Sequence, residues 1–134
     1  LFDVQVREMG IRVLPHLDGE LPTVLLDPET IHAALLNLVK NAVEAMPGGG
    51  DLTVITRITR NGVAVDLIDT GNGVDEQTAL HMFDAFYSTK HEGSGLGLPT
   101  ARKIIETHGG RIGVQSDVGR GTKFTIEFPT PRRL

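Results

Sequence analysis

The feature that most narrows what this chain can fold into is a pair of period-two runs on either side of Asn61-Gly62. Leu52, Val54, Thr56 and Ile58 fall on one side of a strand, and Val63, Val65 and Leu67 on one side of a second. Asn-Gly is the strongest short hairpin signal, because both residues of a tight hairpin turn need positive φ. The turn is therefore predicted at Asn61-Gly62, flanked by Arg60 and Val63, with Ile58 opposite Val65 and Thr56 opposite Leu67. The same parity puts Asp69 on the side of Val63, Val65 and Leu67, the side expected to face the core. A carboxylate placed there must be nearly buried and must find a donor.

Helical periodicity surrounds this hairpin. Asp27-Pro28-Glu29 reads as a helix start, with a capping carboxylate, a proline at the first position and an acid in the first turn. From Thr30 to Met46 the residues Ile31, Leu35, Leu38, Val39, Ala42, Val43 and Met46 form one broad apolar arc, and Asn37, Lys40, Asn41 and Glu44 lie on the opposite arc. Pro47 to Gly50 end that helix. Residues 1–9 read as the end of a helix or an entering strand, and Ile11 to Leu17 as an apolar strand. Glu76 to Met82 suggests a short helix, and Phe83 to Gly95, which has no sustained period, a mobile loop. Leu98, Ala101, Ile104 and Ile105 mark a helix over Leu96 to His108, stopped by Gly109-Gly110. A last hairpin pairs Arg111 to Ser116 with Thr122 to Phe128 through Gly119 and Gly121. Hairpins mixed with irregularly alternating helices predict an α+β fold. It is a two-layer sandwich whose mixed sheet is covered on one face by helices, rather than a doubly wound parallel sheet. No repeat or linker divides the 134 residues, so residues 1–134 are expected to form a single domain.

Composition removes several function classes. A net charge of -4 offers no basic excess for nucleic acid or an anionic membrane. An anionic ligand would have to be held by local donors or a metal rather than by the global field. The chain has no cysteine, which excludes disulfides, thiolate nucleophiles and cysteine-bound zinc, and fits a cytoplasmic protein. No apolar run approaches the ~20 residues of a membrane-spanning helix, and the first residues lack a signal-peptide pattern. The start at Leu1 reads as the edge of an excised fragment, so the full-length protein could still be membrane-anchored.

Three polar clusters carry chemistry. Asn37 and Asn41 sit four apart on the polar arc of a helix, so both amides can point into one cleft, and an amide oxygen is a hard ligand acceptable to Mg²⁺. Two solvated asparagines are the simpler account of that pair taken alone, and Lys40 and Glu44 read as surface residues. Asp69-Thr70-Gly71-Asn72-Gly73 follows a strand with its acid pointing inward. Such a carboxylate can accept a hydrogen bond from an exocyclic amine such as that of adenine, while the glycines let a planar base approach the backbone. An ordinary acidic turn has the same composition. Gly93-Ser94-Gly95-Leu96-Gly97-Leu98 runs into a helix whose free N-terminal amides suit phosphate. It is neither a P-loop, lacking the GK[ST] ending, nor a Rossmann fingerprint, since no strand immediately precedes it. Ser88-Thr89 and Lys90 just before it could close over phosphates or form a solvated loop. His16, His32, His81, His91 and His108 show no metal-ligand spacing, and His108 has a sufficient role at a helix C-terminus. His91-Glu92 runs at once into Gly-Ser-Gly and is not expected on a stable helix.

In order, NLVKNAVEAM, DTGNGVD, MFDAFYSTK, GSGLGL, HGG and GRGTKFTIEFP resemble the N, G1, F, G2 and final glycine boxes of histidine kinase catalytic domains, within the wider GHKL ATPase family. The wording of NAVEAM and FYSTK is most similar to the nitrogen-regulation and oxygen-sensing branch. The resemblance implies a Bergerat-type ATP-binding fold with ATP and Mg²⁺ as ligands. It implies Asn41 as the Mg²⁺ ligand and Asn37 as support for the phosphate site, with these two the catalytic pair. Asp69 would hold the adenine amine, Gly71 and Gly73 would shape the base pocket, and Thr122 would lie near the adenine. Gly93, Gly95 and Gly97 would supply lid and phosphate contacts, with Lys90, Leu96 and Leu98 in the same nucleotide site. Glu44 departs from the family, where a basic residue often stands. No segment resembles the box bearing the phosphoacceptor histidine. The implied reaction is therefore transfer of the γ-phosphoryl group of ATP to a histidine on a separate helical dimerisation domain of the same protein, then to an aspartate of a response regulator receiver domain. An anti-sigma-type serine kinase and a non-catalytic nucleotide-sensing module are the alternatives. Gyrase-like and chaperone-like relatives carry a carboxylate at the position of Asn37.

Overall fold

Strand β1 (Ile11–His16) lies parallel to β2 (Gly50–Ile58), from Ile11 opposite Gly50 to His16 opposite Ile55. Parallel neighbours cannot be joined by a tight turn and need a crossover. Helix α1 (Pro28–Glu44) supplies it. The remaining strands, β3 (Gly62–Asp69), β4 (Arg111–Asp117) and β5 (Gly121–Pro129), pair antiparallel in a sheet of order β1-β2-β3-β5-β4. Between β3 and β4 come α2 (Glu76–His81) and α3 (Gly97–Thr107). This is a computed structural model, and it describes residues 9–85, 87 and 97–131. The mixed sheet with helices on one face is the predicted α+β architecture. Among the described residues no helix is long and apolar enough to cross a membrane.

The first hairpin departs from the predicted register. Thr56 faces Val65 and Ile58 faces Val63, so the turn centres on Arg60-Asn61 rather than on Asn61-Gly62. Thr59 and Gly62 close it, through Thr59 N–H to Gly62 O at 2.9 Å and Gly62 N–H to Thr59 Oγ1 at 3.1 Å. Gly62 does not have positive φ. It is glycine because β5 passes over it: an added Cβ would stand 2.0 Å from the Phe128 carbonyl oxygen. Moving the turn by one residue shifts every partner by two, which preserves the faces, so Asp69 stays on the side of Leu67.

Transverse rows on the helix-covered face show what that parity achieves. Val54, Leu67, Phe124 and Val114 form one row, and Thr56, Val65, Ile126 and Ile112 another. Ile31, Ala34 and Leu38 of α1 and Ala101 and Ile105 of α3 pack on them. Large side chains such as Leu38, Phe124, Ile105 and Ile126 are fully buried, each stabilising the fold by roughly 1.5–3 kcal/mol before entropy is counted. The row beyond, Leu52, Asp69, Thr122 and Ser116, turns polar. Leu52 joins a smaller cluster with Ile11, Ala42, Val43 and Met46 beneath the end of α1. The opposite face carries Asp66, paired with Arg57 and Thr125.

Local details correct three expectations. Asp27 occupies the N-cap position of α1, but its carboxylate accepts the Thr30 hydroxyl instead of a backbone amide. Phe83, assigned to a loop, packs on the core with its ring edge-on to Phe124 at 6.0 Å between centroids. Most of the loop expected to follow, residues 86 and 88–95, lies outside the described residues, as do residues 1–8. His108 does more than sit near a helix C-terminus. Its Nδ1–H donates to Ile104 O at 2.8 Å while Nε2 accepts from Asp27 N–H at 3.2 Å, tying the end of α3 to the start of α1. The predicted stop after α3 is present: Gly109 has φ +76° and Gly110 N–H returns to Ile105 O at 2.9 Å.

Candidate functional site

The site grows from the polar row. Asp69 ends β3 facing the helices and is 3% exposed. Its Oδ1 accepts from Gly71 N–H at 2.9 Å and from Thr122 N–H at 3.2 Å. Oδ2 takes neither bond. Among the described residues no side-chain nitrogen or oxygen is buried without a partner, so Oδ2 is not sealed away from solvent. Burial raises the pKa of this carboxyl above its ordinary value, and the two amides pull the other way without cancelling the shift.

Glycines hold the loop after Asp69 in place. A Cβ on Gly71 would stand 2.4 Å from Ala45 O at the end of α1, and the same carbonyl accepts Asn72 N–H at 3.0 Å. Gly73 has φ +67°, and a Cβ there would meet Asp117 O at 2.0 Å. Gly71 and Gly73, expected to shape a base pocket, thus first let the loop wedge between α1 and the β4–β5 turn. That fixes Asp69 beside the last turns of α1, where Asn41 stands half-buried one turn before Ala45.

Asn37, also half-buried, donates through Nδ2 to Gly97 O at 3.1 Å. The acceptor is a carbonyl, so the amide nitrogen must face it and the amide oxygen is left on the other side. This one bond joins the predicted asparagine pair to the first residue of α3, whose first turn contains no acid. Gly97 is exposed and has open space where a Cβ would go, whereas Leu98 packs on the main core. Lys40 and Glu44 are exposed, as expected for surface residues. Lys90, Gly93, Gly95 and Leu96 lie outside the described residues.

Sequence reasoning missed Ser116. Its Oγ accepts from Val74 N–H at 2.8 Å and lies 3.0 Å from Gly121 O and 2.8 Å from Thr122 Oγ1, at the β4 end of the row that contains Asp69. The available signal was parity: Ile112 and Val114 face the core, and a serine is next in their series. Chemically, the site sets a carboxylate and hydroxyl cluster at one end of a helix-covered sheet, with an asparagine-bearing helix beside it that is bonded through Asn37 to the first residue of α3.

Comparison with known proteins gives concordant findings. A model of the family described as histidine kinase-, DNA gyrase B- and HSP90-like ATPases matches residues 26–132. The C4-dicarboxylate transport sensor protein DctS of Rhodobacter capsulatus is 39% identical over 132 residues, a match covering 94% of this chain and 20% of DctS. The chain therefore spans about a fifth of that relative's length. The catalytic domain of histidine kinase ThkA in a nucleotide-free form superposes with a TM-score of 0.85 at 33% identity, covering 96% of this chain and 85% of that one. ThkA in complex with the response regulator protein TrrA gives a TM-score of 0.81 at 30% identity, covering 97% and 37%.

Proposed function

The chain belongs to the family of histidine kinase-, DNA gyrase B- and HSP90-like ATPases as the ATP-binding catalytic domain of a sensor histidine kinase, and from that premise we propose how its residues hold Mg-ATP. Asp69 takes the adenine amine on Oδ2, with Thr122 beside it and Gly71 and Gly73 giving the base close access to the backbone. The supporting observation is the half-satisfied carboxylate: both backbone donors converge on Oδ1, and among the described residues the second oxygen has no donor. Because the chain carries a net charge of -4, the phosphates need local donors. The N-terminus of α3, free of acids and anchored by Asn37, supplies them together with the glycine and Lys90 segment before it.

Asn41 contributes an amide oxygen to Mg²⁺. Among the described residues no group of three histidine, cysteine, aspartate or glutamate side chains could enclose an ion. A single amide oxygen completed by waters and phosphate oxygens is a donor set that suits Mg²⁺, which rarely sits in an all-protein cage. When bound, the ion offsets charge on the phosphates as the γ-phosphoryl group leaves. The protein's own part is positioning: Asn37 holds α3 against α1, and Asp69 fixes the base end. The acceptor is a histidine on a helical dimerisation domain of the parent protein, and the phosphoryl group then passes to a response regulator. The complex of ThkA with a response regulator supports that last step by analogy.

The test is phosphotransfer from labelled ATP to the parent protein's histidine-bearing helical domain supplied in trans, with calorimetry of ATP binding with and without Mg²⁺. Transfer to histidine is expected, and Asn41→Ala is expected to lose the Mg²⁺-dependent part of the affinity. Nucleotide binding without transfer would point to a sensing module, and transfer to serine to the anti-sigma type.

A further inference from the structure

Ser116 sits opposite Thr122 on the β4 edge of the polar row, and its hydroxyl makes three close contacts. A serine hydroxyl has one proton and two lone-pair sites, so three contacts use its whole capacity. The Val74 contact brings its own proton from the amide. The Gly121 carbonyl brings none, so the Ser116 proton must go there. The 2.8 Å contact with Thr122 can then hold a proton only if Thr122 donates it. Any other assignment leaves two oxygens facing each other at hydrogen-bond distance with nothing between them.

We infer that Ser116 is a positioning residue for base selection: by accepting the Thr122 hydroxyl proton it leaves Thr122 with lone pairs only, an acceptor beside Asp69. The inference rests on the ATP reading above and deepens it. Asp69 and Thr122 are held together, since Thr122 N–H bonds to Asp69 Oδ1 and the two residues are paired across β3 and β5. Two neighbouring acceptors favour a base edge that presents an exocyclic amine, directly or through one ordered water, and disfavour a carbonyl oxygen in the same place. The discrimination works against the wrong base, because a buried acceptor facing an acceptor is left unpaired. In Ser116→Ala the Thr122 proton loses its partner and the hydroxyl can turn to donate to a base carbonyl.

The experiment compares ATP with inosine triphosphate, which carries a carbonyl oxygen in place of the amine, by calorimetry on the whole chain, with thermal melting as the fold control. Wild type should prefer ATP, Ser116→Ala should reduce that preference roughly tenfold, and Ser116→Thr, which keeps the hydroxyl, should restore it. A serine that only braces the fold would weaken both nucleotides by one factor and leave their ratio unchanged. An unchanged ratio in folded Ser116→Ala, or a ratio lost equally in Ser116→Thr, overturns the inference. If Ser116→Ala melts below the assay temperature, Thr122→Val decides: it removes the Thr122 hydroxyl that the inference makes the acceptor while Ser116 keeps Val74 and Gly121, and a retained preference overturns the inference. A wild-type chain that binds both nucleotides equally overturns it too but leaves ATP binding standing. One that binds neither refutes the ATP reading as well.

Discussion

Strand β3 carries two buried carboxylates, and the two faces of the sheet treat them in opposite ways. Asp66, 2% exposed, faces away from the helices. Its Oδ2 accepts from Arg57 Nε at 2.8 Å and its Oδ1 from the Thr125 hydroxyl at 2.8 Å. Burial alone would raise its pKa, but the hydrogen bonds from Arg57 and Thr125, with the charges of Arg57 and Lys123, hold it below the ordinary carboxylate value. Asp69 is buried to the same degree on the helix-covered face, and among the described residues its partners are two backbone amides, both on one oxygen. There burial prevails and the pKa rises. On the reading proposed above, the carboxylate satisfied on both oxygens by side chains serves the fold, and the one whose described bonds converge on a single oxygen takes the ligand.

The sharpest way to break this contrast is to neutralise each carboxylate in turn. In Asp69→Asn the new amide oxygen can keep the Gly71 and Thr122 amides, and the NH₂ group replaces the open oxygen. ATP affinity should fall roughly thirty- to a hundredfold while the melting temperature stays near wild type. Wild-type affinity in titration calorimetry would place the base elsewhere. Asp66→Asn should do the reverse, because it turns an amide donor toward Arg57 while the Thr125 hydroxyl keeps an acceptor. Urea unfolding should show a loss of about 2 kcal/mol, below the ~3–5 kcal/mol of a fully buried broken pair. The discount arises because the Arg57 side chain is 46% exposed and can return to water. ATP affinity should not change, and an unfolding curve identical to wild type would show that the pair adds nothing.

The smallest effect is in the pH dependence of stability. The folded-state pKa of Asp69 is raised, so between the ordinary carboxylate value and the raised one the folded chain binds more protons, and stability falls as pH rises through that window. Asp66 is depressed, so its contribution is present above the ordinary value and is lost as pH falls through the lowered one. Melting profiles should lose the first slope in Asp69→Asn and the second in Asp66→Asn. Both slopes surviving in both variants would assign them to other groups.

How much of this was legible in the sequence depended on how local the cause was. The inward face of Asp69 could be read from a period of two, and it survived a misplaced turn because a shift of two keeps parity. The turn itself was misread because Gly62 is demanded by Phe128 on β5, a strand far along the chain, and not by a positive φ. The apolar arc of α1 was visible, but the bond from Asn37 to Gly97 joins distant segments and no spacing rule reports it. His108 was read as a helix-end residue for the same reason, since its partner Asp27 belongs to the other helix. Ser116 acquires meaning only once Thr122 is placed opposite it.

The most direct test of where the nucleotide sits is to follow the backbone amides of the isotope-labelled chain by NMR while Mg-ATP is added. Shifts should concentrate at Gly71, Asn72, Val74, Gly97 and Thr122, around the half-satisfied Asp69, with Arg57, Asp66 and Thr125 on the opposite face nearly unmoved. Perturbation centred on Arg57, Asp66 and Thr125, with the Asp69 loop silent, would contradict the assignment of the site.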